Sequence, residues 1–286
     1  MWLYGGMAMM TGVTTCVMNL DAQGPLPRRK YNAKRLNVFL IRHAESENNA
    51  LHKVVKSKAE YMRLRSSDPN LSEIGEKQAE ALKYKMKREL PTGSIVSMWV
   101  SPLHRTLLTA QPTARALNIK PIVDTELFEL YGCFEQVDGE QVPFPGKTRE
   151  EISSEFPDYD TRAVRADGWY ATKDFESHEE CVFRASRLIR RLRNEVKRLQ
   201  SDENDEHNVI IVSHGNFLSE VLKSILGTSN DVGYSCGNAS VTKLTLMCSE
   251  SSPDDTALSV EYIFAVDHLE SESLITGMSV KGLYDV

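Results

Sequence analysis

From residue 37 onward, short apolar runs alternate with longer stretches whose apolar residues recur every three or four positions. The run NVFLI (37–41) reads as a buried strand. Residues 72–90 place Ile74, Ala81, Leu82 and Met86 on one helical face, with Ser72 positioned as an N-cap. SIVSMWV (94–100) predicts a second strand, and 103–117 a helix that Pro112 is expected to interrupt or kink. PIVDTEL (121–127) reads as a short third strand. Residues 181–200 form the strongest helical pattern, with Val182, Ala185, Ile189, Leu192, Val196 and Leu199 at spacings of three and four. NVIIVS (208–213) is a further buried strand, and 215–226 a helix closed by Gly227. Two strand-like runs, 240–246 and 259–266, follow near the C-terminus.

Strands alternating with helices predict an α/β fold with a largely parallel sheet. No low-complexity linker divides the core, so residues 37–286 read as one catalytic domain. Within it, 128–177 has weak periodicity and many Gly, Pro, aromatic and acidic residues, as expected of an insertion or lid with short helices. The first 20 residues carry Gly, Thr and Asn among apolar positions and lack the basic start of a signal peptide. Residues 1–36 are therefore expected to be a disordered or targeting leader, and no later segment is long and apolar enough to span a bilayer.

Composition narrows the function. The chain has 286 residues, 41 % hydrophobic and 26 % charged, which is ample for a sizeable core. A net charge of −6 argues against nucleic acid as a partner and leaves room for an anionic small substrate in a locally positive pocket. Five cysteines with no CxxC spacing predict reduced thiols, no disulfide framework and a cytoplasmic setting.

Ligands of open α/β sheets bind outside the carboxyl ends of the strands. The first strand ends at Arg42 and His43, the second is followed by Arg105, and the strand at 208–213 runs into His214, with Gly215 opening the next helix. Parallel strands would gather all of these on one rim. Two guanidinium groups and two imidazoles there call for an anion, and a phosphoryl group suits the planar donor fork of arginine. The helix starting near Gly215 is expected to add its positive end and free backbone N–H groups. A neutral imidazole at His43 can attack phosphorus, with the arginines and His214 stabilising charge on the equatorial oxygens. A departing alkoxide needs an acid, for which Glu129, Glu126 and Glu135 compete in the loop after the third strand.

These motifs resemble the histidine phosphatase superfamily. RHAESENN (42–49) is similar to the family's RHG motif in its extended form, LSEIGEKQA (71–79) to its LTxxGxxQA helix start, SPLHRTLLTA (101–110) to its SPLxRTxxTA block, and VSHG (212–215) to its late motif. The resemblance runs in family order over about residues 37–227. It implies a three-layer α/β/α fold and metal-independent, cofactor-free phosphomonoester hydrolysis with His43 as nucleophile. It also implies Arg42, Arg105 and His214 as phosphate contacts, Asn49 as a further one, and Glu129 of ELYG (129–132) as acid and then base. The substrate would be a phosphorylated small molecule or a phosphoprotein. The sequence departs from the family at Ala44, where glycine is usual. It also lacks the phosphoglycerate mutase continuation after residue 49, which disfavours a mutase, while the complete set of core residues disfavours a non-catalytic phospho-ligand scaffold.

Other signals read as structure. The basic run at 184–199 is a core-packing helix with a solvated face, and 201–207 a solvated loop. His52, His104, His178, His207 and His268 are given no role, and Cys133 is expected to be a buried, inert thiol. Lys147, Arg149, Arg162 and Arg165 are candidates for lending charge to the pocket from the insertion.

Overall fold

The structure is a computed structural model that describes residues 33–278 apart from 91, 172–173, 200–206, 230 and 250–255. Most of the expected leader and nearly all of the 201–207 loop lie outside the described residues. A six-stranded sheet in the order β3-β2-β6-β1-β7-β8 forms the centre. β1 (Ala33–Arg42) pairs in parallel with β6 (His207–Ser213), β6 with β2 (Ile95–Val100), and β2 with β3 (Ile122–Val123). β7 (Val241–Ser249) and β8 (Thr256–Ala265) add an antiparallel edge. The expected leader boundary at residue 36 falls inside β1, which begins at Ala33.

Alternation along the central strands divides the core into two layers. On one face Phe39 and Ile41 of β1 and Ile210 and Val212 of β6 pack with Leu82 and Met86 of α3 (Glu73–Glu89) and Leu107 and Ala114 of α4 (His104–Leu117). On the other, Val38, Leu40, Val209 and Ile211 pack with Leu188 and Leu192 of α6 (His178–Arg198) and Phe217 and Val221 of α7 (Gly215–Leu226). A strand buried on both faces needs an unbroken apolar run, which is why NVFLI and NVIIVS carry no polar alternation. The result is the expected three-layer sandwich.

Several elements differ from the pattern-based expectation. α4 runs on through Pro112 without interruption. Losing one backbone donor costs a helix interior about 3 kcal/mol; here Leu107, Ala110, Thr113 and Ala114 are buried around the proline and offset it. β3 is only two residues long, because Asp124 turns away to accept from the N–H of Glu126. Helices α1 (Glu47–Val54) and α2 (Lys58–Leu64) have no counterpart in the periodicity, since α1 buries one residue and α2 none. The insertion holds a hairpin, β4 (Phe134–Val137) with β5 (Glu140–Pro143), before α5 (Arg149–Glu155), whose capping box joins Thr148 and Glu151. Among the described residues no helix is long and apolar enough to cross a membrane.

Candidate active site

The parallel register sets Arg42 opposite Ser213 and Val100 opposite Val212, so β1, β2 and β6 end on one rim. A cleft of about 490 Å³ opens there, with Arg42, His43, Asn49, Arg105, Glu129 and Gly215 in its lining. His214 is not in the lining; it is fully buried behind Arg105.

His43 is held in one tautomer by its surroundings. Its Nδ1 lies 2.7 Å from the Ala44 carbonyl oxygen, which only accepts, so Nδ1 carries the proton and Nε2 the lone pair. Arg105 Nε donates toward that Nε2 from 3.3 Å, and Arg105 Nη2 lies 3.1 Å from His214 Nδ1. Because a guanidinium only donates, His214 Nδ1 accepts, and its Nε2–H donates to Ser101 Oγ at 2.7 Å. Both imidazoles are therefore neutral. Burial first, then the charges of Arg105 and Arg42, hold His43 well below the ordinary value of 6.5. Burial and Arg105 do the same to His214.

Arg42 is fixed by carbonyl oxygens, with Nη1 donating to Cys236 and, at 3.2 Å, to Gly277. A Cβ at Gly215 would come within 3.3 Å of Arg42 Nε, so the glycine leaves room for the guanidinium. Asn49 caps α1 together with Ser46, and its Oδ1 accepts from the Ser46 N–H at 3.2 Å and from Asn238 Nδ2 at 3.2 Å.

Of the three candidate acids only Glu129 lines the cleft. Glu126 pairs with Arg187 on α6, and Glu135 stands in hairpin strand β4. Glu129 also corrects the expectation for α7. The N–H groups of Asn216 and Phe217 are not free for an anion, because Glu129 Oε2 and Oε1 accept from them at 3.3 and 3.0 Å. The carboxylate is thus parked on the positive end of a helix. Its loop is closed by Gly132, whose N–H donates to the Glu129 carbonyl at 3.0 Å with φ +84. A Cβ at Gly132 would overlap the Tyr170 hydroxyl at 1.9 Å, which accounts for the Glu–Gly spacing of ELYG.

The insertion cations stay outside the cleft lining. Lys147 pairs with Glu155, Arg162 with Asp160, and Arg165 with Asp167, while Arg149 binds backbone carbonyls. Besides the Glu129 loop, the insertion contributes Phe134, while α1, α2 and the α2 C-cap contribute His52, Lys53, Tyr61 and Arg65. His104 turns away from the cleft to Glu155. Burial pushes the Cys133 thiol up to about 12, which makes it inert.

Sequence reasoning missed two positioning residues. Buried Asn238 donates to the His43 carbonyl at 3.3 Å and to Asn49, and accepts from Thr276 Oγ1 at 3.1 Å. Its only sequence signal is a Gly-Asn pair ahead of a strand. Asp68 accepts from the His104 N–H at 2.8 Å and so caps α4, the helix that carries Arg105. Its signal was present: Leu103 at the N-cap has no side chain able to cap.

Comparison with known proteins identifies the family of the chain. The family model of the histidine phosphatase superfamily (branch 1) matches residues 38–252. Phosphoserine phosphatase 1 of Hydrogenobacter thermophilus is 28 % identical over 210 residues, 72 % of this chain and 84 % of that protein. A probable phosphoglycerate mutase of Photorhabdus laumondii is 34 % identical over 96 residues, 34 % of this chain and 39 % of the mutase. Mycobacterial glucosyl-3-phosphoglycerate phosphatase superposes with a TM-score of 0.50 at 20 % identity, over 82 % of this chain and 99 % of its own, which supports the fold. The chain belongs to branch 1 of the histidine phosphatase superfamily, as a phosphatase of that family.

Proposed function

We propose that the protein hydrolyses phosphate monoesters in two steps through a phosphohistidine on His43. The tautomer of His43 carries this reading: a neutral ring with Nδ1 tied to Ala44 offers Nε2 as a nucleophile. In the first step Nε2 forms a bond to phosphorus as the ester P–O bond breaks, and Glu129, released from the N–H groups of Asn216 and Phe217 and protonated by the monoanionic phosphate ester as it binds, gives that proton to the departing oxygen. In the second, Glu129 takes a proton from water, whose oxygen attacks phosphorus and releases phosphate and neutral His43. Arg42 and Arg105 neutralise the phosphoryl oxygens, with the Asn49 amide as a further donor. Arg105 exchanges its long bond to His43 for these oxygens. His214 acts through Arg105 as a positioning residue, since its ring nitrogens are used by Arg105 and Ser101.

The reaction is proposed to need no metal. The cleft lining offers one carboxylate among the described residues, and the arginines supply the positive charge. The names of the relatives support small phosphorylated hydroxy compounds as substrates, such as the phosphoserine of the Hydrogenobacter protein.

A panel of phosphate esters assayed with excess chelator, with rapid quenching under base, tests this reading. Wild type is expected to turn over and to retain label from a ³²P ester, and His43→Ala to lose more than about 10⁴-fold in kcat, the scale of a missing nucleophile. Full turnover by His43→Ala, or activity abolished by the chelator, would overturn it.

A further inference from the structure

Phosphoryl binding at the strand rim leaves one cation of the cleft over. Arg42, Arg105, Lys53 and Arg65 line it, against Glu129 alone among the described carboxylates. Arg42 and Arg105 stand at the strand ends beside His43, and Lys53 is already paired with buried Glu45. Arg65 comes from outside the strand rim, near enough to Arg105 for their charges to repel. It is the C-cap of α2, and its guanidinium lies 4.0 Å above the ring of Phe134 on hairpin strand β4. Its Nη1 donates to the Phe134 carbonyl at 3.1 Å. Stacking and that single bond fix the plane of the fork and leave its remaining donors without a carboxylate among the described residues.

A half-buried guanidinium that is held flat and meets no counter-ion among the described residues is organised to bind one. The surrounding surface suits a carbon skeleton: Phe134 lies under the guanidinium, and the tilted rings of Tyr61 and His52, 5.0 Å apart, also line the cleft. A cleft of about 490 Å³ is also far larger than a phosphate alone requires.

We propose that Arg65 is a specificity residue that binds a second oxyanionic group, carried on the leaving-group part of the substrate. The preferred substrates are then phosphate monoesters of acids rather than of neutral alcohols. This rests on the proposed hydrolysis and sharpens its substrate class.

Matched esters test it: phenyl phosphate against 3- and 4-carboxyphenyl phosphate, and butyl phosphate against 4-phosphooxybutyrate. Wild type is expected to favour at least one carboxylated ester of each set by about 10- to 100-fold in kcat/KM, the span of one charge-assisted hydrogen bond. The preference should reside mainly in KM. In Arg65→Gln the ratio is expected to fall towards one, and Arg65→Lys to restore part of it. Because the ratio compares two substrates on one protein, a general loss of folded enzyme cancels. A wild-type ratio near one, or a ratio that survives in Arg65→Gln, would overturn the proposal. Hydrolysis of none of the esters would count against the phosphatase reading instead. Calorimetry with benzylphosphonate and 4-carboxybenzylphosphonate then decides on Arg65, since equal affinities for the two sink the assignment and a carboxylate preference lost in Arg65→Gln upholds it.

Discussion

At the scale of single residues, the neutrality of the two site histidines has a thermodynamic consequence. An unfolded chain takes up these protons near pH 6.5, whereas the folded chain keeps His43 and His214 neutral well below that. Burial also brings buried His268 down to about 4. Between the unfolded and folded values the unfolded state binds more protons, so stability falls as pH falls. Each such histidine contributes about 1.4 kcal/mol per pH unit below 6.5. Urea unfolding at pH 7.5, 6.0 and 5.0 should show a steep decline, made shallower by His214→Asn. An unfolding free energy that is level from pH 7.5 to 5.0 would contradict the neutral assignment. Ala44 raises a different question, whether its methyl narrows the pocket. The methyl is fully buried in a cluster with Leu71, Ala79 and Ala239 and does not line the cleft, and its φ is not positive. Ala44→Gly is accordingly expected to cost about 1–2 kcal/mol in chemical denaturation, from the lost methyl and the added backbone freedom. Its effect on KM should stay under about twofold, because lost burial changes stability rather than binding.

At the scale of elements, helix α3 holds the loop after His43 in place. Ser72 N–H donates to the Glu45 carbonyl at 2.9 Å, and Gln78 Oε1 accepts from the Glu45 N–H at 2.7 Å. A Cβ at Gly75 would lie 2.0 Å from the same Glu45 carbonyl oxygen. The LSEIGEKQA stretch is thus a docking surface for residues 43–46, which explains motif residues that touch no ligand. Gly75→Ala should push this loop outward by a fraction of an ångström or more and cost about 10²-fold in kcat/KM, the penalty of misplacing a reacting group. Near-native circular dichroism with a large kinetic loss would bear this out; unaltered kinetics would refute the docking role. The same helices show what a sequence reveals. α3, α6 and α7 bury apolar stripes, and their boundaries were legible to within a few residues. α1 and α2 were not, because they are held by caps and side-chain hydrogen bonds rather than by an apolar face. Arg42, His43 and Arg105 could be placed on one rim because strands β1 and β2 deliver them, whereas the strand-end reading left Glu129 competing with Glu126 and Glu135, and only the family resemblance favoured it. Asn238 could not, since its place depends on a loop meeting Thr276 and the His43 carbonyl from far along the chain. The Glu129 contact with α7 depends likewise on tertiary approach alone.

At the scale of the whole molecule, the cleft draws on stretches far apart in the chain: the end of β1 with α1 and α2, the start of α4, the loop after β3 with Phe134, the start of α7, and the turns at 236–238 and 277. Arg42 ties two of them together through the carbonyls of Cys236 and Gly277. An anion held between Arg42 and Arg105 would neutralise these two cations of the cleft lining and bridge these stretches. Binding to the folded state alone at 100 times Kd adds about 2.7 kcal/mol. For a domain of this size that raises Tm by about 5–10 °C. Inorganic phosphate or vanadate should therefore slow amide exchange together in peptides covering 42–49, 101–110, 212–217 and 236–240, with the exposed face of α6 unaffected. Arg105→Ala should abolish both the Tm shift and the joint protection, since it removes the group that bonds to both imidazoles. Protection confined to one stretch, or a Tm shift that persists in Arg105→Ala, would mean that the anion binds elsewhere. A joint response would instead show the separated motifs acting as one site, because bridging by a single anion couples their local openings.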